Sequence, residues 1–172
     1  MHEVEEFTFF WDGPFSQWYP CYFEIDEVEY NCAEQFMMAE KARLFGDEQT
    51  LEMIMEAEAP GTQKALGRQV EGFSREIWED DEETDNGKPY CWNVVWRGNV
   101  AKFSQNAYLL DILMETDGTT LVEASPEDSI WGIGLQEGHP GCHSRDTWQG
   151  LNWLGDVLTN VREHLKSEAD RG

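Results

Sequence analysis

A carboxylate, an indole and two glycines fall together in the stretch L-V-E-A-S-P-E-D-S-I-W-G-I-G-L, residues 121–135. Its first residues have strand character and Ser125-Pro126 breaks the run. Asp128, Trp131, Gly132 and Gly134 then follow just beyond the strand end, which is the layout of a site. The same spacing also starts a helix, with Ser125 as N-cap, Pro126 at the first helical position and Asp128 reaching back as in a capping box. The two readings are compatible, because a cap fixes the rotamer of a carboxylate that also faces a pocket. Glu34 stands three residues after Asn31 and carries the same ambiguity between capping and chemistry. The aromatic cluster F-S-Q-W-Y-P, residues 15–20, places Trp18 near a turn, where its face suits stacking by a base at about 1–3 kcal/mol in nucleic-acid complexes. Of the 12 Lys and Arg, all but Arg145, Arg162, Lys166 and Arg171 lie between positions 41 and 102, so the middle of the chain can form a pocket for a small anion.

The whole chain bounds what such a pocket can serve. Its 172 residues suit one domain with a substantial core. A net charge of −23 with 40% hydrophobic and 13% aromatic residues describes a folded acidic protein, not a disordered acidic chain. A field of that sign repels polyanions, so tight binding to duplex nucleic acid needs a concentrated basic patch, whereas a small anionic ligand needs only two or three cations. Cys21, Cys32, Cys91 and Cys142 show no C-x-x-C spacing, and Met1 is followed by H-E-V-E-E where a secretory leader would be basic and apolar. Reduced thiols in a cytoplasmic protein are expected. No apolar stretch approaches a membrane span. His139-Pro-Gly-Cys142-His143 is the one metal-like cluster, and a Gly/Pro loop carrying exposed imidazoles accounts for it.

The elements that must position these residues read in order. Phe7 to Trp11 and a hairpin from Tyr22 to Tyr30 around Asp26-Glu27 predict a small N-terminal sheet. Asn31 caps a helix in which Ala33, Phe36, Met37, Glu40 and Leu44 share one, mostly core, face. Asp47 begins a second helix with Leu51, Ile54 and Met55 inward, stopped at Pro60, and Thr62 to Leu66 forms a short third that leaves Arg68 and Arg75 near its exit. The acidic run from Glu79 to Pro89 has no periodicity and reads as an exposed loop or insertion. Trp92, Val95, Trp96, Asn99, Val100 and Phe103 recur at helical spacing, Tyr108 to Met114 makes another helix, and Leu154, Val157, Leu158, Val161 and Leu165 define a closing one. The predicted fold is a compact, helix-dominated α+β single domain over residues 1–166, with an acidic insertion at about 79–91 and a frayed tail at 167–172.

Six segments of the chain, in order, resemble the NADAR family, the YbiA-like proteins: F-F-W-D-G-P-F-S-Q-W-Y-P, Y-N-C-A-E-Q-F-M-M-A-E-K-A-R-L-F, Q-K-A-L-G-R-Q-V, R-G-N-V-A-K-F-S-Q-N, the stretch at 121–135, and W-Q-G-L-N-W-L-G. The resemblance implies cleavage of an N-glycosidic bond, either in phosphorylated ribosylaminopyrimidine intermediates of riboflavin synthesis or in ADP-ribose attached to guanine. Matched by motif, Glu34 is the acid of the A-E-[HQ] helix start, Asp128 the acid upstream of W-G-x-G, and Trp78 the family tryptophan that precedes the G-N-x-A-K-F helix. An apparent acidic insertion after Trp78 makes Trp92 a rival for that role, and Gln17 stands where many members carry the Asn of S-N-F.

Those residue types suit the reaction. Breaking an N-glycosidic bond develops oxocarbenium charge on the ribose, which one carboxylate stabilises while another positions or deprotonates water. A tryptophan face holds the base, with Trp18, Trp92 and Trp131 as candidates, and Lys64, Arg68 or Lys102 binds phosphate through charge-assisted hydrogen bonds. Glu34 and Asp128 are therefore expected in one cleft with Trp78 or Trp92 and at least one of those cations. No metal or redox cofactor is called for. A small phosphorylated riboside is the expected partner, and nucleic acid enters only as an ADP-ribosylated substrate. The competing class is a non-catalytic module that binds NAD or ADP-ribose.

Overall fold

The computed structural model describes residues 4–171 and is a helix-dominated α+β fold. The chain forms two units, one contiguous from Gln17 to Asn106 and the other drawn from the segments on either side. Gly172, the last residue of the expected frayed tail, lies outside the described residues.

In the contiguous unit, strands β2 (Phe23–Ile25) and β3 (Val28–Tyr30) pair antiparallel, Phe23 opposite Tyr30 and Ile25 opposite Val28. Asp26 and Glu27 form the two-residue turn with φ of 52° and 68°, the doubly left-handed geometry whose twist matches that of the strands. The hairpin feeds α1 (Ala33–Leu44), against which α2 (Glu48–Glu56), α3 (Pro60–Gly67) and α5 (Tyr90–Ser104) all pack. The one-faced amphipathic reading of α1 is corrected here. From Ala33 through Ala39 every residue is buried, whereas Glu40 and Leu44, expected on the core face, are partly exposed. A helix surrounded on all sides has no polar face to declare its orientation.

The start of α1 also differs from expectation. Cys32 occupies the cap position and Asn31 does not cap. The Asn31 N–H donates to Gln35 Oε1 at 2.8 Å, so Gln35 makes the backward bond that a capping box would have given Glu34. The Asn31 side chain donates to the Glu58 carbonyl and accepts from Gln63 Nε2. Asp47 does cap α2 as predicted, its carboxylate accepting from the Thr50 N–H. The short helix α4 (Arg75–Trp78) precedes the acidic loop, which ends where α5 begins at Tyr90.

In the other unit, strand β1 (Phe7–Phe10) pairs parallel with β4 (Thr120–Glu123), Phe7 opposite Thr120 and Phe10 opposite Glu123. The single N-terminal sheet of the sequence reading is thus two separate two-stranded sheets, because β1 takes its partner from far along the chain. Helix α6 (Ala107–Met114) buries Leu109 and Leu113, and α7 (Trp153–Arg171) packs against β4 and buries Leu154, Val157, Leu158 and Val161, with its residues beyond Leu165 exposed. No helix among the described residues is long and apolar enough to cross a membrane.

The expected helix at Ser125-Pro126 is absent. Ser125 is buried, and the chain instead folds back on β4, where the Ile133 N–H donates to the Glu123 carbonyl. Gly134 has φ +72°, and Gly132 lies so close to the Asp128 and Glu123 carbonyls that a Cβ would come within 3.0 Å of both. Asn152 locks the seam between this loop, β4 and α7: its Oδ1 accepts from the Glu123 N–H and its Nδ2 donates to the Leu121 carbonyl. Gly155 brings α7 onto β4, since a Cβ there would run into the Leu121 carbonyl. Gly155→Ala is therefore expected to lower stability by about 1–3 kcal/mol, although Ala normally gains about 1 kcal/mol over Gly inside a helix. Urea unfolding measures the sign, and a variant as stable as the parent would mean that α7 is not seated by this contact.

Candidate active site

Glu34 lies in the first turn of α1, only 7% exposed. Its backbone N–H donates to the Gln17 carbonyl at 2.9 Å, which ties the aromatic segment at 15–20 to the helix start. Lys41 follows two turns later on the same side of α1 and is buried as well, its Nζ 4.1 Å from the centre of the Phe73 ring. Burial pushes the Lys41 ammonium down from its ordinary pKa, the charge of Glu34 opposes that shift, and Arg68 reinforces it. Glu34, Lys41 and Arg68 thus act on one another electrostatically. Sequence reasoning did not single out Lys41 as a site residue. The seven-residue spacing from Glu34 was the signal that would have found it.

Trp18 and Lys64 come together beside this group. Trp18 is 45% exposed and the Lys64 Nζ stands 5.9 Å from its ring centre, a cation over an aromatic face. Gly61 on α3 lies against the indole, where a Cβ would rest in ordinary contact with Trp18 Cη2 at 3.6 Å. Lys64 and Arg68 are exposed, one near the end of α3 and the other just past it. The contiguous unit therefore holds a buried carboxylate, a partly exposed indole and cations contributed by α1 and α3.

Three other candidates in this unit are enclosed. Lys102, on α5, is 0% exposed, with its Nζ 5.7 Å from the Tyr19 ring and 5.0 Å from that of Phe103. Burial pushes its pKa down to about 8, against the opposing influence of the Cys21 and Cys32 thiols. Burial also drives Cys32 up to about 11, and its thiol donates to Gln63 Oε1 at 3.1 Å. Trp78 and Trp92 are both buried: Trp78 sits 6.0 Å from Tyr90, ring to ring, and Trp92 lies 5.3 Å from the Lys88 Nζ of the acidic loop.

Asp128 and Trp131 belong to the other unit, where the loop after β4 holds them together. Asp128 is half-buried, and its Oδ1 accepts from the Ile130 N–H at 2.9 Å and the Trp131 N–H at 2.8 Å. This is an Asx turn closing the loop, not the helix cap expected. Among the described residues the other carboxylate oxygen has no hydrogen-bond partner, so the turn fixes the group and leaves one oxygen for chemistry. The Trp131 indole meets Trp153 edge to face at 5.6 Å. In the His139–His143 loop, His139 Nδ1 accepts from the Gly141 N–H and His143 lies edge-on to Phe9. The described residues hold no group of three His, Cys, Asp or Glu able to grip a metal ion.

Three comparisons bear on this arrangement. The NADAR domain family model matches residues 9–166. An N-glycosidase of Acanthamoeba polyphaga mimivirus is 42% identical over 154 residues, spanning 87% of this chain and 85% of that protein. The chloroplastic riboflavin biosynthesis protein PYRR of Zea mays is 30% identical over 166 residues, covering 90% of this chain and 24% of that longer one. The NMR structure of the Escherichia coli protein YbiA superposes with a TM-score of 0.76 at 26% identity, covering 99% of this chain and 91% of the other.

The burial of Lys102 has a pH signature. Below about pH 8 the amine is protonated whether the chain is folded or not; between about 8 and 10.5 the unfolded amine keeps a proton that the folded one has lost. Raising pH across that window therefore favours the folded state through this residue. Denaturant unfolding of the parent and of Lys102→Met should show the parent gaining stability relative to the variant as pH rises from 8 to 10. A constant difference would mean that Lys102 is not desolvated.

Proposed function

The chain belongs to the NADAR family, and we propose that, acting as the N-glycosidase its relatives' names describe, it hydrolyses the bond between ribose and base in a small phosphorylated N-riboside. The observation that carries this reading is the grouping around Glu34: a buried carboxylate on a backbone anchored at the helix start, with Lys41 and Arg68 in electrostatic reach and the Trp18–Lys64 pair in the same unit.

Each part has a role in the reaction. As the C1′–N bond breaks, positive charge grows on the ribose, and a carboxylate already held by its surroundings stabilises it without reorganising. Glu34 takes this role. Asp128, with one oxygen committed to the Ile130 and Trp131 N–H groups, uses the other to orient and deprotonate the attacking water. The water's proton goes to the Asp128 carboxylate, its oxygen to C1′, and the bond electrons leave with the base. The base packs on a tryptophan: Trp78 by motif, with Trp92 as its rival and Trp18 and Trp131 as further aromatic surfaces. Lys64 and Arg68, both exposed, take the phosphate. Lys102, enclosed between aromatic rings, supplies positive charge at the buried end of the substrate.

Net charge favours a small substrate. At −23 the chain repels a DNA polyanion at long range, whereas a nucleotide-sized molecule meets the local field of the gathered cations. The likeness to the maize riboflavin biosynthesis protein supports a ribosylaminopyrimidine phosphate as that molecule. Removal of ADP-ribose from modified guanine is the second reading.

The test is product detection after incubation with ribosylaminopyrimidine phosphates, with NAD and with ADP-ribosylated guanine in DNA. Free base should appear from the first in preference to the others. Rapid release of ADP-ribose from DNA with no cleavage of the small ribosides would replace the substrate and keep the reaction. Binding without any product would leave a recognition module instead. Glu34→Gln and Asp128→Asn should each lower turnover by about 10²–10⁴-fold, while melting changes little, because Asn still accepts at Oδ1. Normal turnover with a lowered melting temperature in Asp128→Asn would reduce Asp128 to its loop-closing role.

A further inference from the structure

A pair of side-chain amides in the contiguous unit is built for recognition. Asn99, on α5, is 0% exposed, and its Nδ2 donates to the Val95 carbonyl at 2.9 Å and to Gln17 Oε1 at 2.8 Å. These bonds fix which end of each amide is which. The Val95 carbonyl can only accept, so the Asn99 amino group must face it, and the Gln17 oxygen must then face that amino group. Asn99 Oδ1 and Gln17 Nε2 are left over. Both are buried, and neither has a partner among the described residues. Unmet buried amide atoms are rare in folded proteins, and here one acceptor and one donor flank a single hydrogen bond.

The surroundings point to what meets them. The Gln17 carbonyl accepts the Glu34 N–H, so the pair is anchored at the start of the helix that carries the proposed catalytic carboxylate. The next residue is Trp18, whose side chain is 45% exposed. On the other side, Gly98 lets α5 approach α1 closely, a Cβ there falling 2.9 Å from Phe36 Cδ1. A sugar hydroxyl turns to donate or accept as required and has no need of a pair whose polarity is fixed. A heterocycle edge has fixed polarity of its own.

We propose that Gln17 and Asn99 form a base-reading subsite that takes the lactam edge of a pyrimidinone or purinone, Gln17 Nε2 donating to the ring carbonyl and Asn99 Oδ1 accepting from the adjacent ring N–H. This rests on the glycosidase reading above and names the part of the substrate that the pair selects. A site that offers fixed donors and acceptors rejects an analogue that cannot match them, because its own buried groups are then left unpaired.

The test uses the full ¹⁵N-labelled chain and two probes, 1-methyluracil, which presents an N–H beside a carbonyl, and 1,3-dimethyluracil, which has lost that N–H. Titration with 1-methyluracil should move the side-chain amide signals of both Gln17 and Asn99, and the dimethyl probe should bind about tenfold more weakly. Asn99→Leu, which removes the acceptor, should bring the two affinities together, whereas Gln17→Met should weaken both probes and keep their ratio. The comparison of probes on the parent chain needs no variant, so it stands even where a substitution disturbs folding. Equal affinities on the parent, unmoved amide signals up to the solubility of 1-methyluracil, or movement with ribose 5-phosphate and not with 1-methyluracil would each overturn the subsite. Riboside cleavage is scored separately: loss of cleavage with discrimination intact tells against the reaction, and loss of discrimination with cleavage intact tells against the amide pair.

Discussion

A helix enclosed on every side must have its polar side chains answered by its neighbours, and α1 is enclosed in this way from Ala33 through Ala39. Gln35 accepts the Asn31 N–H and donates to the Ile54 carbonyl, and Gln63 answers Asn31, the Ala57 carbonyl and the Cys32 thiol. Two buried amides thereby join the exit of the β2–β3 hairpin, the start of α1, the end of α2 and the body of α3. Losing either would strand donors and acceptors out of water at about 1–3 kcal/mol for each orphaned group. The position of Glu34 depends on this latch together with the bond from its own N–H to the Gln17 carbonyl.

The same enclosure explains how so acidic a chain can gather cations. With a net charge of −23, exposed carboxylates dominate the surface. Lys41 and Lys102 are taken out of that surface altogether, one against the Phe73 ring and one between Tyr19 and Phe103. A buried ammonium is a strained arrangement, visible in the lowered pKa of both, and it persists because packed aromatic rings and nearby ionisable groups offset part of the lost hydration. Positive charge held in this way acts at short range with little screening, while the acidic exterior governs what approaches from a distance.

Local order was legible in the sequence. The Asp47 cap, the hairpin around Asp26-Glu27 and the helices from Tyr90 and Trp153 follow from periodicity and turn chemistry within a few residues of each position. The motif resemblance also singled out Glu34 and Asp128 as candidates, which periodicity alone could not separate from helix caps. What was hidden depends on distant partners. Ser125-x-x-Asp128 has the spacing of a capping box, yet Asn152 and Gly155 hold β4 against α7, and the loop closes as an Asx turn instead. Asn31 does not cap, because the Glu58 carbonyl and Gln63 claim its side chain, and Gln35 makes the backward bond expected of Glu34. Lys41 lies off the face that periodicity marks as core, and it is enclosed because α1 is buried on more than that face.

The pairing of β1 with β4 sets an order of events during synthesis. The Thr8 and Thr119 hydroxyls that meet at this sheet are 111 positions apart, whereas the unit from Gln17 to Asn106 is contiguous. At translation rates of about 5–20 residues per second, the middle of the chain can fold while β1 waits on the order of ten seconds for its partner strand. During that interval an aromatic segment, F-T-F-F, is exposed with unpaired backbone, the kind of edge on which nascent chains associate. Glu5 and Glu6 precede it directly and guard it by charge. Glu5 is later claimed by Arg145, which grips both carboxylate oxygens at 2.6 and 2.7 Å, so the guard is retired into an ion pair once the second half of the sheet has arrived.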